Sequence, residues 1–251
     1  MRIGIISDLH GNLPGLQVAL DGLKRCRTDR LICLGDLASL GPSPLPVVET
    51  VRSLGIPVLL GNHETYLLHP AKMAGQMQRF QIAEQWAAEK LGSDHLDWMR
   101  SFPETLELEE VPEILFCHGS PRHNEHQILP DTASPVLAGW LEDLPHPVIV
   151  SGHTHVQMAR PYEDKWLVNP GSAGAPFTFP IQMPPKMPAR SEWAVLEVKA
   201  GQIHTEFFRV PMDLETLAKD YRTGGMPDAE IWLSGWVPDK APKKNAPGKK
   251  S

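Results

Sequence analysis

The sequence predicts an α/β fold in which two β-sheets stack as a sandwich flanked by helices. Three observations predict it. Short runs of Ile, Val and Leu recur along the chain, each ending at a polar or glycine-containing turn. Amphipathic stretches separate the early runs. After His155 the texture changes to alternating, β-rich segments that follow one another directly. Strands joined first by helices and later by hairpins imply two sheets, not one doubly wound sheet.

Taken in order, Ile3–Ser7, Arg30–Leu34, Pro57–Leu60, Ile114–Cys117 and Val148–Ser151 read as buried strands. Leu13, Leu16, Ala19, Leu20 and Leu23 fall on one helical face between the first two. Helices are also expected over Pro44–Ser53, Gln78–Leu91 and Thr132–Leu144. Val156–Pro161, Lys165–Asn169, Ser191–Val198 and Ile203–Val210 read as antiparallel strands. Ala175–Arg190 holds five prolines beside Phe177, Phe179, Met183 and Met187, which excludes a helix or an inner strand and leaves a surface loop or a lid. Asp213–Arg222 suits a helix, and Trp232 and Trp236 after it suggest packing against the body.

These elements make one expected domain over 1–238, with its core in 1–210 and an extension over 211–238. Residues 239–251 carry five lysines against one aspartate. That +4 leaves −10 on residues 1–238 out of a formal total of −6. An acidic body argues against a long nucleic-acid backbone as partner, and the Pro/Lys/Ala tail, with nothing to anchor it, is expected to be disordered. No run of eighteen apolar residues is present, so no membrane helix is expected. The first strand-like stretch starts almost at Met1, leaving no room for a signal peptide ahead of it. Three cysteines without CxxC spacing are neither a disulfide framework nor a thiolate metal site. The expected location is cytoplasmic.

Chemistry concentrates where the strands end. The first run leads into Asp8-Leu9-His10-Gly11-Asn12, the second into Gly35-Asp36, the third into Gly61-Asn62-His63-Glu64. The fourth leads into His118-Gly119-Ser120 and the fifth into Gly152-His153-Thr154-His155. Carboxyl ends of strands in open α/β sheets converge on one crevice. Any one of these turns alone is commonplace, but five in order are not. Carboxylate, amide and imidazole donors together suit Mn, Fe, Co, Ni or Zn better than an all-oxygen Mg or Ca cage. Two such divalent cations need a carboxylate between them, and Asp36 is the candidate bridge. No Gly-x-Gly-x-x-Gly or Walker lysine follows a strand, which excludes a Rossmann-type or P-loop nucleotide binder.

These blocks resemble those of the calcineurin-like metallophosphoesterase superfamily, which run D-x-H, G-D, G-N-H-[DE], H and G-H-x-H. Asn169-Pro170-Gly171-Ser172, Ser7–Asn12 and His118–Arg122 look like its smaller bacterial and archaeal phosphoesterases. The resemblance covers about residues 1–210. It implies that Asp8, His10, Asp36 and His155 hold one metal, and that Asp36, Asn62, His118 and His153 hold the other. It further implies that His63 stands beside the scissile phosphate, and that a hydroxide bridging the metals attacks a phosphomonoester or phosphodiester. One departure is plain. The protein-phosphatase branch reads G-D-x-x-D-R-G, whereas this chain reads Gly35-Asp36-Leu37-Ala38-Ser39-Leu40-Gly41. The Asp that orients the catalytic His and the Arg that grips phosphate are both missing, which argues against phosphoserine phosphatase or dinucleotide tetraphosphatase activity. The sequence leaves the orienting partner of His63 open: adjacent Glu64 could serve, and equally could be a stabilising charge at the turn.

Phosphate recognition needs donors besides metals. Arg122, His123 and Asn62 are the candidates, the first two in the polar loop Ser120–Pro130. Trp86 and Trp98 are expected in the core. The expected partner is a small phosphorylated substrate. The contrasting reading is a scaffold or protein-interaction module on the same fold, with the Pro/Met/Phe segment at 175–190 docking a partner or a second copy.

Overall fold

The computed structural model describes residues 1–181 and 185–239. The expected disorder of the basic tail therefore falls, beyond Asp239, outside the described residues. Two main sheets stack with helices on both outer faces. In the first, β1 (Arg2–Ile6) lies parallel to β2 (Arg30–Cys33), antiparallel to β9 (Arg190–Lys199), and β10 (Gln202–Pro211) closes the far edge. The second runs β3 (Thr105–Glu107), β4 (Ile114–Cys117), β5 (Val148–Val150), β7 (Lys165–Asn169) and β6 (Met158–Tyr162). Its β4, β5 and β7 are parallel and both edges antiparallel.

Side-chain alternation on β1 divides the interior. Ile3 and Ile5 turn inward with Ile32 and Leu34, against Ile114, Phe116, Val148, Val150 and Val168 of the opposing sheet. Ile6 turns outward and packs under α1 (Leu13–Cys26) and α2 (Pro44–Leu54), whose Leu16, Ala19, Val47 and Val51 are wholly buried. Each such aliphatic side chain contributes roughly 1.5–3 kcal/mol. On the other outer face, Leu137 and Leu141 of α5 (Ser134–Leu141) cover Leu115, Ile149 and Leu167.

Several expected elements take another form. Pro57–Leu60 is a single parallel bridge, Cys33 to Val58, not a strand. Proline withholds a donor at its start, and the chain turns at Gly61 into a helix, α3 (Asn62–Leu68), that was not expected. The helix expected over Gln78–Leu91 continues as α4 (Gln78–Met99) across a kink at Gly92, whose φ is 68°. The proline-rich segment contains no helix or inner strand among its described residues, but β8 (Met187–Pro188) pairs with β11 (Trp236–Val237). Between them lie α6 (Leu214–Thr223) and α7 (Ala229–Leu233), and Leu217, Tyr221 and Trp236 pack on Ala83 of α4. Trp86 and Trp98 are half-buried against the helical layer.

Candidate metal centre

The turns leaving β1, β2, β4 and β5, and the bridge at Val58, converge on one crevice between the two sheets. Possible ligand atoms of Asp8, His10 and His155 lie within 4.8 Å of one another, as do those of His10, Asp36 and His63, and those of Asp36, His118 and His153. Asn62 joins through Oδ1, 3.0 Å from His118 Nε2. All seven expected ligands and His63 therefore meet, although Asp8 and His155 are 147 residues apart.

Backbone geometry marks the same residues. Asp8, His10, Asp36, His153 and His155 all have positive φ, from 44° to 64°. Each such conformation costs a non-glycine residue about 1–2 kcal/mol, and strain of this kind collects at functional sites. Glycine is required where the turns abut. Gly35 has φ of 107°, and a Cβ there would come within 2.7 Å of the Gly61 nitrogen, while a Cβ on Gly61 would collide with Asp36 Oδ1. The buried Glu64 carboxylate ties these turns together. It accepts from the Asp36 N–H at 2.8 Å, the Leu37 N–H at 2.7 Å and the Gly61 N–H at 3.0 Å.

Hydrogen bonds orient the imidazoles. Nδ1 of His10 lies 3.0 Å from the Ser39 carbonyl, that of His118 2.7 Å from Leu34, and that of His155 2.6 Å from Ala175. A carbonyl only accepts, so Nδ1 carries the proton in each ring and Nε2 faces the crevice. His10 Nε2 and His155 Nε2 then stand 3.0 Å apart. Burial, followed by the charges of His155 and His63, pushes His10 down to about 3, so its ring is neutral and aims a lone pair. Asp8 Oδ1, 3.3 Å from His155 Nε2, is buried without a hydrogen-bond partner, while Asp8 Oδ2 accepts from the His153 N–H at 3.1 Å. Burial works against both carboxylates, but the histidines outweigh it, holding Asp8 at about 2 and Asp36 well below the usual carboxylate range. Burial likewise opposes charge on His118, yet Asp36 and then Asp8 raise it to about 10. Two buried carboxylates beside the inward lone pair of a neutral His10 form a donor set that attracts positive charge, part of which protonated His118 supplies in the cation-free protein. The residues fit divalent cations, with Asp36 central to two of the three groups.

His63 differs from its neighbours. Its backbone N–H donates to Asp36 Oδ1 at 2.9 Å, and its Nδ1 pairs with Glu84 Oε1. Burial lowers its affinity for a proton, but Asp36 and then Glu84 raise it to about 9. Glu84, 4% exposed on α4, also accepts from Ser39 Oγ at 2.5 Å. The orienting group for His63 is therefore Glu84. Adjacent Glu64 has its oxygens committed to the turns. Sequence reasoning missed Glu84, although a signal existed: it falls at the start of the helical spacing Glu84, Ala87, Leu91, a charged residue on the face that α4 buries.

The loop candidates lie elsewhere. Arg122 pairs with Asp143, is 42% exposed, and lines a small separate cavity of about 220 Å³ with His123 and Asn124. Asn124 fastens that loop to α3 through the Gly61 carbonyl at 3.1 Å and Thr65 Oγ1 at 2.9 Å.

A cluster of buried Asp, Asn and His side chains at the strand ends of a two-sheet sandwich defines a metallophosphoesterase-like centre, and sequence comparison agrees. The model of the calcineurin-like phosphoesterase superfamily domain matches residues 1–201, so the chain belongs to that superfamily, a family of phosphoester hydrolases. A metallophosphoesterase from Sphaerobacter thermophilus superposes with a TM-score of 0.73 at 26% identity, covering 94% of this chain and 99% of that one. A hypothetical protein from Pyrococcus horikoshii OT3 gives 0.79 at 17% identity, covering 93% and 96%, which shows the shared fold. Among curated relatives, an uncharacterized protein of Methanocaldococcus jannaschii is 28% identical over 193 residues, 69% of this chain and 76% of that one. The symmetrical bis(5'-nucleosyl)-tetraphosphatase of Chromohalobacter salexigens is 30% identical over 121 residues, 47% of this chain and 44% of the enzyme. The chain thus matches less than half the length of that tetraphosphatase. No helix among the described residues is long and apolar enough to cross a membrane.

Proposed function

We propose that this chain hydrolyses a small phosphoester at a centre of two divalent cations, Mn, Fe, Ni or Zn, sharing Asp36. One observation carries the reading: the His10 and His155 imidazoles, each pinned by a backbone carbonyl, face each other at 3.0 Å across the unpartnered Asp8 oxygen. That arrangement gathers two imidazole nitrogens and a carboxylate oxygen around one point, a donor set suited to a divalent cation. Asp8, His10, Asp36 and His155 would hold one cation, and Asp36, Asn62, His118 and His153 the other. When bound, the pair would supply Lewis-acid stabilisation of the phosphoryl oxygens and a water acidified toward neutrality.

The chain's own residues do the rest. Imidazolium at His63, its Nδ1 held by Glu84, presents its other nitrogen as a proton donor to the leaving oxygen. Glu64 fixes Asp36 by bracing its backbone. Asn62 offers its amide to the substrate side, whereas Arg122 and His123 face a separate cavity and take no part in the reading. The absence of an Arg after Asp36 favours diesters or broad small substrates over a grip on a doubly charged monoester.

Elemental analysis of purified protein tests the reading. Two equivalents of transition metal are expected, with both metal and hydrolysis of bis-nitrophenyl phosphate lost in Asp36→Asn. A metal-free wild type that cannot be loaded, or an inert loaded one, rejects it.

A further inference from the structure

The crevice continues beyond the histidines into a cavity of about 400 Å³, a volume typical of small-ligand sites. His10 and His155 form its inner end. Phe177, Phe80 and Trp232 form its walls, and Met77 and Ile231 stand at its margin 57% and 50% exposed. Phe177 stacks on the His155 ring with centroids 4.8 Å apart and planes at 14°, and Phe80 meets Trp232 edge-on at 5.2 Å. Phosphate chemistry alone has no use for so much apolar surface beside its ligands. Arg79 also lines the cavity, is exposed, and makes no ion pair among the described residues.

The walls come from three separate parts of the chain. Phe80 opens α4, Phe177 follows the loop after β7, and Trp232 belongs to α7. Residues 1–201 match the superfamily domain, so α7 lies outside it. The Lys186 ammonium donates to the Ser234 carbonyl at 3.2 Å, and β8 pairs with β11, so the loop and the extension form one wall.

We infer that this cavity seats a planar aromatic or heteroaromatic group carried by the phosphoester, with Trp232 as a specificity-determining residue and Arg79 as the counter-charge for a further anionic group. The inference rests on the proposed reading of the metal centre. Continuity with His10 and His155 selects a substrate as the occupant over a protein partner, because a macromolecule docked there would block the crevice. Stacking between rings is tolerant of ring identity, so the site selects a class of substrate and not a single molecule.

The test is calorimetric binding of naphthylmethylphosphonate and methylphosphonate to the metal-loaded, full-length protein. The aryl ligand is expected to bind at least tenfold more tightly, and Trp232→Ala to bring the ratio within about threefold. Trp232→Phe should retain most of the preference, and Phe80→Ala provides a second variant should Trp232→Ala fail to fold. Equal affinities in the wild type, no binding of either ligand, or a variant that weakens both ligands in proportion would overturn the inference. Hydrolysis is scored separately on the same preparations. Hydrolysis without aryl preference sinks this inference alone, whereas aryl preference without hydrolysis sinks the catalytic reading alone.

Discussion

At the scale of single residues, function is written in conformations that cost stability. His153 shows this most cleanly: its φ is 64°, and burial, then the charge of His118, depresses its pKa to about 4. Its ring makes no hydrogen bond among the described residues, so little in the protein alone rewards the strain. Removing the side chain where φ is positive should stabilise the cation-free protein by about 1 kcal/mol. His153→Gly is therefore expected to raise the melting temperature in chelator while lowering bound metal, both readable on one preparation. Glu84 makes the complementary case. Glu84→Gln should lower kcat by roughly 10–100-fold, less than complete loss of a general acid, with metal content unchanged. The sign of the pH effect follows from the charges. His63 is raised to about 9, so its proton is retained through neutrality and lost as pH rises through that value. Cations sharing Asp36 would cancel much of that carboxylate's contribution, leaving Glu84 the main support, so the variant's alkaline limb should move to lower pH. Arg122→Ala should leave KM and bound metal unchanged, because its side chain pairs with Asp143 beside a separate cavity, and a raised KM would bring that loop within the substrate's reach.

At the scale of elements, the turns do the positioning, and they are also what the sequence displayed best. Strand runs ending in Asp, Asn, His and Gly could be read directly, because an inner strand is continuously apolar and its exit is abruptly polar. What stayed hidden was structure whose cause lies elsewhere in the chain. Gly61–Leu68 reads as a motif and not as the start of α3, since its helical form depends on Glu64 closing back onto the Gly61 N–H. Pro57–Leu60 looks like a strand, yet its pairing stops after one bridge. Glu84 sits twenty residues beyond the nearest catalytic motif, within a helix whose register the eye assigns to packing. Gly61→Ala probes the tightest of these junctions. Its methyl would displace Asp36 or Glu64, so we expect a loss of metal and a destabilisation of about 1–3 kcal/mol, measured by denaturant titration.

At the scale of the whole molecule, the centre joins two halves that each bury their own layer. Asp8, His10 and Asp36 leave the first sheet, while His118, His153 and His155 leave the second. Ligands that bind only the folded state stabilise it by mass action, by about 4 kcal/mol at a thousandfold excess over Kd. In a chain of this size that corresponds to roughly 8–16 °C. Chelation should lower the melting temperature by that amount, and restoring the metal should reverse it. A melting temperature indifferent to chelator would place the cations, if bound at all, outside the cage.

The split of the donors between the sheets bears on synthesis. A nascent chain emerging from the ribosome presents Asp8, His10, Asp36 and Asn62 long before His153 and His155 exist. Neither proposed set of four can be completed until the second sheet has reached its β5 turn and closed against the first. Cation uptake would then follow the closing of both sheets, and a chain truncated ahead of that turn is expected to hold no metal.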